Sequence, residues 1–219
     1  MPLRPAEVFD RGFVARSPLW WALERLVVGL AAAGFVAVLY YPVAAFTADR
    51  HLDLSTSLDQ AIPYLPSTVW IYMPVYLALF LVGIFGLRDR ETFYRSCASI
   101  ALSAFLCCAV FLVVPSTMAW PPLPDAPGAT RDFLAAIREM DVPNNTFPSQ
   151  HVALSFCVAL GAFRYHRGLG ASLLFTAVLI ALSTMTTKQH YWVDSPGGIA
   201  MALAAHALAF RGFRRKGMP

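Results

Sequence analysis

The stretch Leu26–Phe46, LVVGLAAAGFVAVLYYPVAAF, contains no charged residue over 21 positions. A helix needs about 20 mainly apolar residues to cross the hydrocarbon core of a bilayer. Five further runs resemble it, at 69–87, 96–124, 142–163 (interrupted only by His151), 168–187 and 195–210. The sequence therefore predicts an all-α polytopic membrane protein, a bundle of six transmembrane helices that forms one integral membrane domain over residues 1–219.

The composition agrees with a chain that has the lipid bilayer as its partner. Apolar residues make up 58% and charged residues 14%, whereas ordinary soluble domains are about one quarter charged. This excludes a disordered chain and disfavours a soluble enzyme. The net charge is +4, but in a membrane protein basic residues report orientation, so we expect no nucleic-acid partner.

The basic residues divide unevenly between the two sides of the predicted bundle. With the N-terminus in the cytoplasm, the inner segments hold 13 Lys/Arg and the outer segments hold 4. This asymmetry predicts that both termini are cytoplasmic, in the cytoplasmic membrane if the source is bacterial. Residues 1–25 then form a cytoplasmic or interfacial segment. The longest outer loop, 115–147, is rich in proline before a helical patch near 130–140, and it is a candidate lid.

Two polar segments lie at the predicted outer ends of helices, where buried ionisable residues need a functional reason. The first is Phe147–His151, and the second is Ser183–Asp194. Topology places both on the same face, although His151 and His190 are 39 residues apart. His190 and Asp194 are four residues apart, a spacing that lets a carboxylate accept a hydrogen bond from one ring nitrogen and leaves the other nitrogen as a nucleophile.

A phosphate-binding site is predicted beside these histidines. Pro148 suits the first turn of a helix, and the free N–H groups after it, with the Ser149 hydroxyl, form an anion site. Lys188 adds a positive charge two residues before His190. A nucleophilic histidine, an orienting aspartate, a second histidine and an anion site together suit phosphoryl transfer from an anionic ester.

The two segments resemble the type 2 phosphatidic acid phosphatase superfamily of membrane lipid phosphatases and phosphotransferases. The family carries a PSGH segment, here Pro148-Ser149-Gln150-His151, and an SRxxxxxHxxxD segment, here represented by Ser183, His190 and Asp194. The resemblance implies that His190 attacks phosphorus to form phosphohistidine, that Asp194 orients it, and that His151 protonates the leaving alcohol. It also implies a site at the outer, periplasmic or lumenal face, with no metal and no cofactor. The predicted phosphate-binding residues are Ser149, Gln150, Ser183 and Lys188.

The chain departs from the family pattern at its phosphate-binding cations. Thr184 stands where the third motif has Arg, and the first motif, KxxxxxxRP, places Val113 and Trp120 where Lys and Arg are expected. Lys188 is the candidate substitute, and the string Thr187–Tyr191, TKQHY, resembles the inositol phosphorylceramide synthase branch. Fewer cations weaken binding of a dianionic monoester more than of a monoanionic diester, which favours a diester donor.

Other interpretations of these residues remain open. Two histidines and one carboxylate could ligate zinc. Ser149 could be a helix cap, Lys188 an interfacial lysine, and Gln150 and Gln189 could satisfy helix ends. Ser183 and Thr184 could bond back to their own helix. For the whole chain, the alternatives to a lipid phosphatase or phosphotransferase are a headgroup-transfer synthase and a non-catalytic lipid-binding or transport protein.

Overall fold

The computed structural model describes residues 18–212, and every long element in this range is a helix. Most of the predicted N-terminal segment and both chain ends lie outside the described residues; residues 18–25 belong to the first helix. The helices are α1 (Pro18–Phe46), α2 (Ser57–Ala61), α3 (Tyr76–Gly86), α4 (Arg90–Val113), α5 (Ala129–Met140), α6 (Gln150–Tyr165), α7 (Arg167–Thr186) and α8 (Asp194–Ala209).

The all-α prediction is confirmed. Residues 18–212 contain no β-strand, and their extended backbone pairs only at two isolated bridges, Leu52 with Ser116 and Thr117 with Asn144. The first bridge joins the loop after α1 to the loop after α4, and the second joins the start of that second loop to its end, near the start of α6. The loops are therefore tied together above the helices instead of extending separately.

Among residues 18–212, four helices could cross a membrane by length and composition: α1, the continuous segment Pro66–Gly86 that ends in α3, α4 and α7. The two other predicted spans correspond to α6 and α8, which have 16 residues each. A full crossing takes at least about 17 residues. Helix α6 begins later than the apolar run 142–163, because the backbone before Gln150 is not helical, whereas α8 begins at Asp194, one residue before the run 195–210. The count of six spans is therefore not confirmed and stays a prediction.

Helix α6 lies at the centre of the bundle and packs against α4, α7 and α8. Its residues 152–159 are all buried. Small residues permit this close packing: a Cβ added to Gly161 would lie 2.1 Å from the Ser96 Oγ on α4. Helix α1 packs on the outside of α4 and exposes large apolar side chains, including Leu30, Phe35 and Val38, as expected for a surface that faces lipid.

The segment before α3 begins with a 3₁₀ turn, Pro66–Thr68, followed by a π-helical turn, Ile71–Val75. Pro74 lies inside the π turn, where proline cannot donate the hydrogen bond of a regular helix. The turn places Tyr72 fully inside the protein. A tyrosine near the start of a span usually marks the membrane interface, so its burial here indicates a different role.

The helical patch predicted near 130–140 is α5. Its apolar face packs on the Pro66–Val75 segment, where Leu134 and Ile137 join Val69 and Tyr72 in a small buried cluster. The stacked rings of Trp70 and Phe133, with centroids 4.6 Å apart, extend this contact. Helix α5 therefore covers the end of the bundle that carries both histidines, and whether it moves as a lid stays a prediction.

Candidate active site

The His190 ring is held by two oxygen acceptors at one nitrogen. Nδ1 lies 3.1 Å from the Asp194 Oδ2 and 3.0 Å from the backbone oxygen of Thr146. Both partners only accept hydrogen bonds, so Nδ1 carries the proton and Nε2 is the unprotonated nitrogen of the neutral ring. Because His190 is 7% exposed and Asp194 is fully buried, the ring has little freedom to turn.

The second histidine meets the first across 39 residues of sequence. His151 Nδ1 lies 3.5 Å from His190 Nε2, and the ring centroids are 5.8 Å apart. The Tyr72 hydroxyl lies 3.1 Å from His151 Nε2, and the rings of Tyr72 and Tyr76 pack edge-on against His151. The predicted meeting of the two histidines is thus present, and two tyrosines hold the orientation of His151.

Asp194 also accepts a hydrogen bond of 2.9 Å from the backbone N–H of Tyr191 at the same Oδ2 atom. Its Oδ1 is buried without a hydrogen-bond partner. The carboxylate lies in the first turn of α8, where the helix dipole favours negative charge. The charge is thus stabilised by a ring N–H, a backbone N–H and the helix end, with no Lys or Arg in contact.

Ser149 is the N-cap of α6. Its hydroxyl oxygen accepts a hydrogen bond of 3.3 Å from the Val152 N–H, and the residue is fully buried. This is the helix-cap interpretation of Ser149. Its role as a phosphate ligand stays a prediction, since phosphate would have to share the amides that this hydroxyl now satisfies.

Ser116 fixes the backbone just before the cap. Its hydroxyl accepts hydrogen bonds from the Thr146 hydroxyl at 2.9 Å and from the Phe147 N–H at 2.7 Å. These contacts hold the Thr146 carbonyl against the His190 ring. Sequence reasoning missed Ser116, because the contact joins the start of one outer loop to the end of the same loop and has no local signal.

Two adjacent glycines allow α8 to approach this backbone. A Cβ on Gly198 would lie 2.4 Å from the Ser149 carbonyl oxygen, and one on Gly197 would lie 2.7 Å from the Phe147 ring. A larger side chain at either position would therefore hold the two segments apart. The approach brings the first turn of α8, with Asp194, to the start of α6, with His151.

A cavity of about 740 Å³ opens beside the two histidines. Its walls come from α1, the π turn and start of α3, α5, the segment before α6 and the turn before α8. Most of the lining is apolar or aromatic, including Tyr40, Tyr41, Tyr76 and Phe133. Its polar lining consists of Asp141, Asn144, Asn145, Thr146, Gln150, His151, Gln189 and His190. A pocket of this size accommodates a lipid headgroup.

Gln150 and Gln189 both line this cavity beside the histidines. Each has one buried amide atom without a hydrogen-bond partner, Oε1 of Gln150 and Nε2 of Gln189. Buried polar groups are seldom left unpaired. The free Nε2 of Gln189 is a donor that suits a phosphate oxygen, which adds Gln189 as a candidate that sequence reasoning treated only as a helix-end residue. The free Oε1 of Gln150 only accepts hydrogen bonds, so phosphate binding by Gln150 stays a prediction.

Ser183 and Thr184 lie away from the cavity. The Ser183 hydroxyl donates to the Ile180 carbonyl at 2.7 Å, and the Thr184 hydroxyl donates to the Ala181 carbonyl at 2.8 Å. Both side chains are buried and bond back to α7, which was the alternative interpretation. The predicted phosphate contact of Ser183 is therefore not among the contacts that the structure contains.

The structure does not bring Lys188 to the histidines either. Its Nζ donates hydrogen bonds of 2.7 Å to the carbonyls of Asp59 and Ile62, at the end of α2. A cation at a helix C-terminus satisfies free carbonyls and the dipole. Its backbone has a φ of 57°, so the side chain leaves the turn on the side away from His190. Phosphate binding by Lys188 stays a prediction that would require Nζ to leave both carbonyls.

A network of hydrogen bonds holds the outer segment 53–62 against the turn that carries His190. The Asp59 carboxylate accepts from the Trp192 N–H at 2.7 Å, and the Tyr191 hydroxyl donates to Asp53 at 2.9 Å. Hydrogen bonds from the Ser55 N–H and from Tyr191 lower the pKa of Asp53 below its usual value. The residues on both sides of His190 are thus anchored to a separate loop.

The four cations of the predicted outer side all have partners away from the cavity. Arg50 lies over the Phe46 ring, Arg131 donates to the carbonyls of Pro124 and Asp125, and Arg138 donates to the Pro121 carbonyl while lying over Trp120. With Lys188 at the end of α2, no lysine or arginine among residues 18–212 lines the cavity. The described chain therefore supplies no other lysine or arginine to the cavity in place of the Lys and Arg residues that the family motifs would carry.

Within the described range, no three His, Cys, Asp or Glu side chains converge in a way that could hold a metal ion. The candidate zinc ligands from the sequence, the two histidines and Asp194, instead hydrogen-bond to one another and to Tyr72 and Thr146. The described contacts thus join the two histidine rings and one carboxylate in a single hydrogen-bonded group.

The fold and site therefore define a helical protein of the membrane lipid phosphatase type. The family model of the PAP2 superfamily matches residues 43–208, and the chain belongs to that superfamily, as the two motifs predicted. Both motifs and the whole cavity side of α6 and α8 lie inside the matched range. The likeness to the inositol phosphorylceramide synthase branch stays a prediction.

Two individual proteins are similar to parts of this chain. A PA-phosphatase related-family protein of Dictyostelium discoideum is 34% identical over 68 residues, which are 31% of this chain and 12% of that protein. The chain thus spans a small part of this relative's length. The crystal structure of Aquifex aeolicus LpxE matches 77% of this chain and 92% of its own chain, with 16% identity and a TM-score of 0.48.

Proposed function

We propose that this protein cleaves a lipid phosphate ester through a phosphohistidine on His190, as a lipid phosphatase or phosphotransferase. One observation carries the proposal: His190 has its Nδ1 bound to Asp194 and its Nε2 directed at His151 beside a cavity. Membership of the PAP2 superfamily supports phosphatase activity at the level of the family.

In the proposed first step, His190 Nε2 forms a bond to phosphorus while the bond from phosphorus to the leaving oxygen breaks. The leaving oxygen takes a proton from His151. In the second step, water or an acceptor hydroxyl gives its proton to His151 and attacks phosphorus, which releases His190. Asp194 stabilises the positive ring that forms when His190 carries the phosphoryl group.

Substrate binding has to separate the two histidine rings. Their nitrogens lie 3.5 Å apart, while an attacking atom alone lies about 3–3.5 Å from its target in a reactive arrangement. A phosphorus atom and its leaving oxygen need room between them. The contact with Tyr72 gives His151 a partner during this movement, so the ring shifts within the cavity instead of turning freely.

The described cavity also favours headgroup transfer from a phosphodiester as the second candidate. It has no Lys or Arg, and a dianionic monoester needs more compensation than a monoanionic diester. An apolar cavity limits water in competition with an acceptor lipid. Hydrolysis predicts free phosphate or a free phosphorylated headgroup, whereas transfer predicts a new phospholipid when an acceptor lipid is added.

The test is to trap the phosphorylated protein. Detergent-purified protein is mixed with ³²P-labelled short-chain phosphatidic acid or phosphodiester lipids in EDTA, quenched within milliseconds, and analysed for acid-labile, base-stable label. We expect label on the wild type and on His51→Ala, a matched variant at an exposed outer histidine, but none on His190→Ala. Label that persists in His190→Ala would refute the proposed nucleophile. Loss of turnover in EDTA would refute the prediction that no metal is needed.

A further inference from the structure

The charge of the cavity is unusual for a site that binds phosphate. Asp141 is its only lining residue with a carboxylate, and no described lysine or arginine lines it. The proposed mechanism needs one proton on His151, so the lining carries this one positive charge beside the Asp141 carboxylate. Phosphate binding alone does not require a carboxylate, and a cationic part of the ligand would give it a partner.

The Asp141 carboxylate has hydrogen-bond partners but no cationic partner. Its Oδ1 accepts hydrogen bonds from the Tyr40 hydroxyl at 3.0 Å and from the Val142 N–H at 2.9 Å. Both donors are neutral, and no Lys or Arg forms an ion pair with Asp141 in the described chain. The negative charge in this wall of the cavity thus remains available to a ligand.

The position of Asp141 at the end of a helix adds to this negative potential. It is the C-cap of α5, where the helix dipole places partial negative charge. A carboxylate there is unfavourable for helix stability, and a cation is favourable. The carbonyl end of α5 and the Asp141 carboxylate therefore both favour a positively charged group at this point of the cavity.

Aromatic rings line the cavity around this position. Tyr40 and Tyr41 pack edge-on with centroids 5.6 Å apart, and Tyr76 and Phe133 line the same cavity. Aromatic faces attract amine and quaternary ammonium groups, which bind well where rings and a carboxylate surround them.

We infer that the substrate is a phosphodiester lipid whose headgroup carries an amine or quaternary ammonium cation, bound by Asp141 and the neighbouring tyrosines. The inference rests on the proposed function. His190 Nε2 forms the bond to phosphorus, the bond from phosphorus to the glycerol oxygen breaks, and that oxygen takes the proton of His151. The phosphorylated headgroup stays on His190 with its cation at Asp141 until an acceptor hydroxyl takes it over.

The experiment compares dioctanoyl phosphatidylcholine and phosphatidylethanolamine with dioctanoyl phosphatidylinositol and phosphatidic acid. We expect the wild type to cleave the two amine lipids with at least about tenfold higher kcat/KM than the other two. Asp141→Asn should abolish this preference by lowering only the amine-lipid rates. Glu139→Gln, which removes an exposed carboxylate from the same helix, should leave the preference intact.

Binding to His190→Ala separates this inference from the proposed function. Equilibrium titration of this variant measures headgroup selection without turnover, and tighter binding of dioctanoyl phosphatidylcholine than of phosphatidylinositol supports the inference even if no phosphohistidine forms in the wild type. Equal binding, or a preference that survives Asp141→Asn, overturns it. Cleavage of phosphatidylinositol or phosphatidic acid alone overturns it while leaving the histidine mechanism standing. Tyr40→Phe, which removes only the hydroxyl beside Asp141, gives a second reading if Asp141→Asn fails to fold.

Discussion

The backbone N–H of Ser149 donates a hydrogen bond of 2.9 Å to the backbone carbonyl of Asp194. This bond joins the cap of α6 to the first turn of α8. His151 follows Ser149 by two residues, and His190 precedes Asp194 by four. One main-chain contact therefore sets the relative position of both histidines, whatever their side chains do.

Gly198 permits this main-chain contact, so we expect Gly198→Ala to damage the site from a distance. The added Cβ would lie 2.4 Å from the Ser149 carbonyl, and relief of the clash would push α8 away at a cost of about 1–3 kcal/mol. The midpoint temperature of thermal unfolding in detergent and kcat should both fall. Gly34→Ala, where a Cβ meets nothing within 4 Å, serves as the control, and an unchanged kcat in Gly198→Ala would contradict the explanation.

Asp194→Asn should reduce kcat much more than it reduces stability. An amide in place of the carboxylate can present an N–H to Nδ1 and favours the wrong tautomer of His190, a change that costs about 10⁴-fold in an analogous histidine–aspartate pair. Steady-state kinetics and phosphohistidine trapping measure the effect. The exposed Asp49 supplies the matched control Asp49→Asn, and activity within tenfold of wild type in Asp194→Asn would argue against an orienting role.

Tyr72→Phe removes the hydroxyl that lies 3.1 Å from His151 Nε2 while keeping the buried ring. We expect kcat to fall about tenfold or more, since an acid–base residue contributes about 10²–10⁴-fold only when it is well positioned. The pH profile of kcat should also shift, which a purely structural effect would not produce. Tyr165→Phe, at the other end of α6, is the comparison; equal pH profiles for the two variants would show that the Tyr72 hydroxyl is not needed.

Lys188→Met distinguishes the two roles of this lysine. The loss of two hydrogen bonds from a charged donor to the carbonyls of Asp59 and Ile62 should lower stability by about 1.5–3 kcal/mol. A phosphate ligand would instead show itself as a large increase in KM with little change in thermal stability. Arg50→Met controls for the loss of a positive charge on the predicted outer side. Thermal stability and KM can both be measured on one preparation of each variant.

The contact between Asp53 and Tyr191 should depend on pH. Hydrogen bonds lower the pKa of Asp53 from its reference value of 3.8. A group whose pKa is lower in the folded protein stabilises it above the unfolded pKa and loses that effect as pH falls through the folded value. The difference in Tm between wild type and Asp53→Asn should be constant from about pH 7 to 5 and shrink below about pH 4. A difference that grows on acidification would contradict this assignment.

Sequence reasoning located the residues whose relation follows from short spacing or from topology. The four-residue spacing predicted the contact of His190 with Asp194, which is present although His190 lies in the turn before α8 and not on a helix, and counting helix directions brought His151 to the same end of the bundle. It could not place Lys188, because a single residue with φ of 57° decides where its side chain goes. Asp141 and Tyr72 had no local signal, since their meeting with the site depends on how α5 and the π turn pack.

Helix lengths were the least predictable feature of the fold. The apolar run covers 142–163, but Ser149 is the N-cap of α6, so residues before it are not part of the helix. Composition indicates which residues can lie in an apolar environment, whereas the N-cap and the contact with α8 determine where the helix begins. The same limits apply to α8, whose start is fixed by Asp194 and the turn before it.

The short length of α6 and α8 has a consequence for where the lipid reacts. Sixteen residues of helix extend about 24 Å, against about 30 Å of hydrocarbon in a typical bilayer. If the opposite ends of these helices reach the membrane surface, their histidine ends stop several ångströms short of the other one. We therefore expect one of two adjustments: the substrate phosphate moves below the membrane surface to reach the histidines, or the surrounding leaflet becomes thinner. In both cases the acyl chains of the substrate remain among the acyl chains of neighbouring lipids. Bilayer thickness then becomes a variable of the kinetics, and vesicles made from shorter-chain lipids should support faster turnover than thicker ones.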